Sequence, residues 1–167
     1  MLNRRSAIAA AVGLFAVVLI VTSALMSSAL SVGSKAPDFQ LSLFSGKTVK
    51  LSDYTDKPTL LVFWASWCPH CVRELPVLDR LYKDLHPKGL NVLAVDLDST
   101  TSAGKNFADG HHISFPIAVG SEGVANSYGI TGIPSVFVLD KGVVKAKYAG
   151  EVDEGTLRAD LAKLGVK

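Results

Sequence analysis

Residues 59–76, TLLVFWASWCPHCVRELP, constrain the fold of this chain more than any other stretch. The apolar run over 60–64 predicts a buried strand, because a strand covered on both faces carries apolar side chains throughout. The apolar spacing after the cysteines predicts a helix over Pro69–Leu85. The cysteines therefore lie where a strand ends and a helix begins. Cys68 is at or near the N-cap, and Pro69 is at the first helical position, where its missing N–H costs nothing.

Cys68 and Cys71 have a spacing suited to redox chemistry. Residues three apart on a helix share a face, so a disulfide can form with little backbone movement. The unpaired N–H groups and the positive end of the helix favour a thiolate at Cys68. The chain has 2 cysteines, and both lie here. A structural disulfide closing so small a loop would constrain the unfolded chain little. The pattern therefore favours thiol–disulfide exchange over a structural or metal-binding role.

The N-terminal stretch has the composition of a membrane anchor. No charged residue occurs over 6–34, and the stretch 7–26 is almost wholly apolar. About 20 apolar residues are enough to span a bilayer. Arg4 and Arg5 precede the segment, which would hold the N-terminus in the cytoplasm. Small residues over 27–29 also allow a cleaved signal peptide. Either interpretation predicts that the rest of the chain is exported.

We predict three regions: a transmembrane anchor or signal segment over 1–30, a linker over 31–36 and one folded domain over 37–167. Apart from Arg4 and Arg5, the chain carries 15 basic and 15 acidic residues, so the folded domain is nearly neutral. A neutral domain without blocks of like charge argues against nucleic acid as a partner.

The remaining patterns predict an α/β fold. Two short strands around the turn at 45–47 form an N-terminal hairpin. The run LNVLAVDL over 90–97 predicts a second buried strand, parallel to the first if the intervening helix is a crossover. A polar helical stretch, a short extended piece and a short helix follow over 100–128. A hairpin over 135–148 precedes a final helix N-capped by Asp153. This order predicts a mixed central sheet flanked by helices.

Two motifs resemble a known family. The sequence FWASWCPHC over 63–71 resembles the active-site stretch of the thioredoxin superfamily, and GIPS over 132–135 resembles the loop that carries its cis-proline. The exported, membrane-tethered reductases of the TlpA, ResA and DsbE (CcmG) type resemble the chain best, since they share its opening pattern over 32–51. The 37 residues between Asp96 and Pro134 leave room for their insert. The resemblance implies a thioredoxin-like fold with an N-terminal β-hairpin extension and an inserted helical segment.

The resemblance also implies roles for the residues around the dithiol. Cys68 would be the exposed nucleophile and Cys71 the buried resolving thiol. Pro134 would follow a cis peptide bond and pack against the disulfide, and the backbone of Ile133 would pair with the substrate chain. Trp67 would shield the site.

Further residues would tune the site. Glu74 matches an acidic residue that some ResA-type members place beside the thiols to take up a proton. This proton-accepting role of Glu74 is more strongly indicated because Val62 stands where many thioredoxins carry a buried acid. The dipeptide Pro69-His70 is the one that the oxidase DsbA uses. A histidine there can donate to the Cys68 thiolate and make the disulfide more oxidising. The scaffold therefore favours a reductase, whereas the Pro69-His70 dipeptide favours a more oxidising reduction potential.

From this resemblance we expect a reductase of protein disulfides in the bacterial cytoplasmic membrane, with its catalytic domain facing the periplasm or extracytoplasmic space. Apocytochrome c is the first candidate substrate, which would place the protein in cytochrome c maturation. A membrane electron donor of the DsbD or CcdA type would re-reduce the Cys68–Cys71 disulfide. No metal or other cofactor is implied.

Two alternatives stay open. A DsbA-like thiol oxidase follows from the dipeptide, although the chain has no room for the large helical domain of DsbA. A copper-handling protein of the SCO type would add His111 or His112 to the two thiolates, although such sites resemble CxxxC. A peroxiredoxin shares the early part of the fold but needs a threonine where Ala65 stands.

Overall fold

The computed structural model describes residues 30–167. The predicted anchor over 7–26 lies outside the described residues. Within the part of the chain that is described, no helix is both long and apolar enough to cross a membrane.

A mixed five-stranded sheet forms the centre of the fold. The strands are β1 (Gln40–Ser42), β2 (Thr48–Lys50), β3 (Thr59–Trp64), β4 (Asn91–Asp96), β5 (Ile117–Val119), β6 (Ser135–Asp140) and β7 (Val143–Ala149). The sheet has the order β5-β4-β3-β6-β7, and β1 pairs with β2 in the separate N-terminal hairpin. β3, β4 and β5 are parallel, whereas β6 and β7 are antiparallel to their neighbours. The predicted parallel pair of buried strands and the mixed sheet are confirmed.

Four α-helices accompany the strands within residues 30–167. They are α1 (Pro69–Leu85), α2 (Thr101–Gly110), α3 (Glu122–Ser127) and α4 (Glu154–Lys163). Short 3₁₀ helices occupy Leu51–Tyr54 and His86–Lys88. The helix after the cysteines has the predicted bounds, with Cys68 at its N-cap and proline at its first position. Asp153 caps α4 as predicted, because its carboxylate accepts a hydrogen bond of 2.8 Å from the Thr156 N–H.

Strand β3 lies between two hydrophobic cores, and its six residues are all buried. Leu60, Val62 and Trp64 point to one core, with leucines of α1 and α4. Leu61 and Phe63 point to the other, with residues of the N-terminal hairpin region. Alternation along the strand sends successive side chains to opposite faces, so a continuous apolar run fills both cores. The cysteines thus follow the most deeply buried strand of the sheet.

The segment between β4 and β6 is more than a helical insert. Besides α2 and α3 it contributes β5, which pairs in parallel with β4 and forms one edge of the sheet. Tyr128 ends α3 and packs against Phe39 and Phe63, with ring centroids 6.0 and 5.1 Å away. Its hydroxyl donates a hydrogen bond of 2.6 Å to the Pro37 carbonyl. This segment therefore ties the N-terminal hairpin region to the sheet.

Candidate active site

Cys68 and Cys71 form a disulfide at the carboxyl end of β3. Their Cα atoms are 5.2 Å apart, within the range that disulfides require. The Cys68 sulfur accepts a hydrogen bond of 3.3 Å from the backbone N–H of Cys71. That N–H belongs to the first turn of α1, where the helix dipole favours negative charge. The local structure therefore favours a thiolate at Cys68 once the disulfide is reduced.

The two cysteines differ less in exposure than we predicted. Cys68 is 4% exposed and Cys71 is 0% exposed, so the expected contrast between an exposed and a buried cysteine is small. The Cys68 sulfur lies 3.6 Å from the Ile133 carbonyl oxygen, which places the cis-proline loop against it. Trp67, in contrast, is 68% exposed, and its shielding of the site stays a prediction.

A groove of about 590 Å³ opens beside the disulfide. Its lining includes His70, Glu74, Val77, Ile133, Pro134 and residues of the loop over 150–154. The Ile133–Pro134 peptide bond is cis, as predicted. The N–H of Gly150 donates a hydrogen bond of 2.8 Å to the Pro134 carbonyl, which holds the two loops together. The structure therefore places the predicted substrate-binding pair in one groove with His70 and Glu74, two of the predicted tuning residues, whereas Trp67 lines a different pocket.

Glu74 is a buried carboxyl in that groove, with 1% of its surface exposed. One oxygen, Oε1, accepts a hydrogen bond of 2.9 Å from the Val152 N–H. The other, Oε2, has no hydrogen-bond partner among residues 30–167. Burial raises the pKa of Glu74 to about 7, and the charge of Glu151 adds to the effect, although the Val152 hydrogen bond opposes it. A carboxyl with this pKa can bind or release a proton near neutral pH.

Sequence reasoning missed two residues around His70. Arg73 and Glu151 form an ion pair of 2.9 Å, and the same Glu151 oxygen lies 3.0 Å from His70 Nδ1. Arg73 follows His70 by one helical turn, so the spacing could have indicated a contact. Glu151 lies 81 residues after His70, and no local sequence pattern connects His70 with Glu151.

A second buried carboxyl, Asp96, was also missed. It ends β4, and its pKa is raised to about 7 by burial and by the neighbouring Asp98 carboxyl. Asp98 accepts hydrogen bonds from the Ser66 N–H, at 2.8 Å, and from the Ser66 hydroxyl, at 2.9 Å. Ser66 comes two residues before Cys68, so Asp98 anchors the loop that enters the site. In the sequence, the one indication of this buried carboxyl was that Asp96 is an acidic residue at the end of an apolar strand.

The histidines considered as copper ligands belong to the end of α2. His111 stacks on Phe107 at a centroid distance of 4.0 Å, and its Nδ1 lies 2.9 Å from the Phe107 carbonyl oxygen. His112 follows it in the left-handed conformation, with φ of 53°. Within residues 30–167, no group of three or more His, Cys, Asp or Glu side chains could hold a metal ion.

A sheet of this topology, with a CxxC disulfide at a strand–helix junction and a cis-proline loop against it, defines a thioredoxin-like thiol–disulfide oxidoreductase. Residues 32–147 match the model of the AhpC/TSA family, and the chain belongs to this family.

Individual relatives agree with this assignment. The chain is 34% identical over 137 residues to thiol-disulfide oxidoreductase ResA of Bacillus thuringiensis subsp. konkukian (strain 97-27), covering 81% of this chain and 79% of that protein. It is 35% identical over 133 residues to thioredoxin-like protein YneN of Bacillus subtilis (strain 168), covering 77% and 78%. A Chlorobium tepidum crystal structure assigned as thiol:disulfide interchange protein DsbE matches with a TM-score of 0.76 and 33% identity, covering 81% of this chain and 99% of that one. The predicted fold, the resemblance to ResA and DsbE proteins and the predicted enzyme class are confirmed.

Proposed function

We propose that this oxidoreductase is an exported, membrane-tethered reductase of protein disulfides. The charge-free stretch over 6–34, preceded by Arg4 and Arg5, supports export and anchoring. The observation that carries the reductase proposal is the buried carboxyl of Glu74, one helical turn after Cys71. At neutral pH this carboxyl supplies a proton acceptor. Val62 stands where many thioredoxins carry a buried acid, so that position supplies none.

The reaction begins with the reduced dithiol. The Cys68 thiolate attacks a substrate disulfide, a new sulfur–sulfur bond forms, and one substrate thiolate leaves and takes up a proton. Cys71 then loses its proton to the Glu74 carboxylate and attacks the Cys68 sulfur, which releases the second substrate thiolate. The substrate gains two electrons, and the enzyme is left as the Cys68–Cys71 disulfide. The groove beside Ile133 holds the substrate chain during both steps.

The oxidised enzyme needs two electrons to start again. Resemblance to the TlpA, ResA and DsbE type points to a membrane donor of the DsbD or CcdA type and to apocytochrome c as substrate, in cytochrome c maturation. A tethered catalytic domain outside the cytoplasm suits both partners, because each would meet it at the same membrane surface.

A DsbA-like oxidase is the second candidate, and one observation favours it. His70 lines the groove beside the disulfide, where an imidazole N–H could stabilise the Cys68 thiolate and raise the reduction potential. The reductase and the oxidase therefore differ in the reduction potential expected for the Cys68–Cys71 couple.

The deciding experiment is to equilibrate the full chain, purified in detergent, with glutathione buffers at pH 7. A potential near about −270 mV, the value for thioredoxin, is the expected result. A potential towards about −120 mV, the value for DsbA, would overturn the reductase proposal. Cys71→Ser, which has no dithiol couple, provides the baseline.

Export is tested separately. In intact cells expressing Cys71→Ser, a membrane-impermeant maleimide should label Cys68. Labelling only after the cells are lysed would refute export. A cytoplasmic protein with a reactive thiol serves as the control for leakage.

A further inference from the structure

The segment over 30–36 lies along the outer edge of β7, which is an edge strand of the sheet. The Gly33 N–H donates a hydrogen bond of 2.8 Å to the Val144 carbonyl, and the Val144 N–H donates one of 3.0 Å to the Ser34 carbonyl. These hydrogen bonds cover backbone groups that an edge strand would otherwise leave unpaired. The stretch that the sequence predicts as a linker is therefore held on the sheet, and we call residues 30–36 the strap.

The strap runs antiparallel to β7, so its start lies near the active-site end of the sheet. The Ala36 N–H donates a hydrogen bond of 2.8 Å to the Gly142 carbonyl, in the turn before β7. The Lys147 ammonium donates one of 2.8 Å to the Leu30 carbonyl, near the end of β7. Ala149, the last residue of β7, pairs with the first residue of β6, directly after the cis-proline. The chain therefore enters the domain at the end of the sheet where the disulfide lies.

The tether between the strap and the predicted anchor is short. Leu30 is 8% exposed and packs into the core, so the start of the strap is fixed to the domain. Three residues, 27–29, separate Leu30 from the predicted anchor over 7–26. Four steps along an extended chain reach at most ~14 Å. The six steps of the strap carry the chain roughly 20 Å further along the sheet, away from the disulfide. A tether this short keeps the active-site end beside the membrane that holds the anchor.

The exposed apolar side chains fit this placement. Among residues 30–167, two large hydrophobic side chains are exposed: Val32, at 59%, and Trp67, at 68%. Val32 lies on the strap, and Trp67 lies next to Cys68 in the chain. An amphipathic tryptophan ring is favoured at the level of the lipid headgroups. The exposure of Trp67 is therefore explained if this end of the domain rests at the membrane surface.

We propose that the strap holds the active-site end of the sheet beside the membrane, so that the groove meets partners whose cysteines lie at the membrane surface. The kind of partner that fits is a membrane-embedded protein with a cysteine pair at the level of the lipid headgroups. The proposal rests on the membrane anchor of the proposed function, because without an anchor the strap orients nothing. It does not depend on whether the Cys68–Cys71 couple is reducing or oxidising.

The experiment measures how close each end of the sheet lies to the lipid headgroups. The full chain, with Cys68→Ser and Cys71→Ser, receives one new cysteine that is labelled with a bimane fluorophore. It is then reconstituted into phosphatidylcholine vesicles that contain a lipid with a nitroxide quencher on its headgroup. Thr131→Cys marks the active-site end and Lys57→Cys marks the opposite end, and both positions are exposed. Since the two ends lie roughly 20 Å apart along the strands, the label at Thr131 should be quenched at least about twofold more strongly.

Two controls separate the strap from other causes of orientation. An insertion of about ten Gly and Ser residues between Ala29 and Leu30 keeps the contacts of the strap but adds about 17 Å of flexible reach, so the difference between the labels should disappear. Lys35 and Lys141 lie at the end of the sheet opposite the disulfide and are exposed. Anionic lipid would attract that end if charge set the orientation, so the measurement is repeated with phosphatidylglycerol in the vesicles. Thr131 should remain the more strongly quenched position.

Equal quenching of the two labels, stronger quenching at Lys57 in either lipid, or a difference that survives the insertion would overturn the inference. Gly132→Cys and Asp56→Cys, at exposed positions of the same two ends, replace the first pair if either variant misfolds. Flotation of the vesicles separates this inference from the proposed function. A chain that does not float with the vesicles refutes the anchor and this inference together, whereas a chain that floats with equal quenching refutes this inference alone.

Discussion

Burial of Glu74 should make the stability of the oxidised protein depend on pH in a defined direction. Its pKa rises from 4.5 to about 7 on folding, so between these values the folded state binds more protons than the unfolded state. The contribution of Glu74 to the free energy of unfolding therefore falls as pH rises from about 4.5 to about 7, and this contribution is flat above that range. A shift of this size corresponds to about 3 kcal/mol at about 1.4 kcal/mol per pKa unit.

Glu74→Gln isolates this contribution. Glutamine is neutral throughout the range, and its carbonyl can keep the hydrogen bond from the Val152 N–H. Its amide group replaces Oε2, the oxygen without a hydrogen-bond partner among the described residues, at a cost of about 1–3 kcal/mol. That cost does not change with pH. The stability of the variant relative to wild type should therefore increase by about 3 kcal/mol between pH 4.5 and pH 8.

Urea unfolding of the oxidised full chain, without reductant, measures this difference at several pH values. Asp96→Asn provides the comparison, because the pKa of Asp96 is also raised to about 7 and its loss should remove a second part of the same slope. The double variant should lose both parts. If the difference between wild type and Glu74→Gln stays constant within about 0.5 kcal/mol, the argument from burial is wrong.

Three further substitutions test other parts of the structure. Asp79→Ala leaves the Ser114 N–H and hydroxyl without the carboxylate oxygen that both contact at 2.7 Å, so chemical denaturation should show a loss of about 2 kcal/mol; unchanged stability would contradict this. Gly104→Ala places a Cβ in a steric clash with the Asp96 carboxylate, so thermal unfolding should report a loss of about 1–3 kcal/mol, and a wild-type melting temperature would refute the clash. Cys71→Ser should accumulate a mixed disulfide with a disulfide peptide on non-reducing gels and slow turnover at least ~100-fold, whereas wild-type turnover would show that no resolving thiol is needed.

The sequence alone determined most of the framework around the cysteines. The apolar run over 60–64 predicted the buried strand, and the cap at Cys68 predicted where α1 begins. Periodicity and capping are local properties, so they can be read without knowing what packs against the helix. The cis bond before Pro134 came from a family motif rather than from local physics, and the structure has it.

Only the tertiary structure decided the electrostatics of the groove. Glu74 lies on a helix whose pattern does not show whether that position is buried. Val152, which binds its carboxylate, is 78 residues away, and Glu151 is 81 residues from His70. Burial and charge pairing depend on which loops meet in space, and a pKa depends on both. The local sequence therefore determines where the two cysteine sulfurs lie, at the junction of a strand and a helix. The groups that tune their chemistry are brought together by the packing of loops that are distant in sequence.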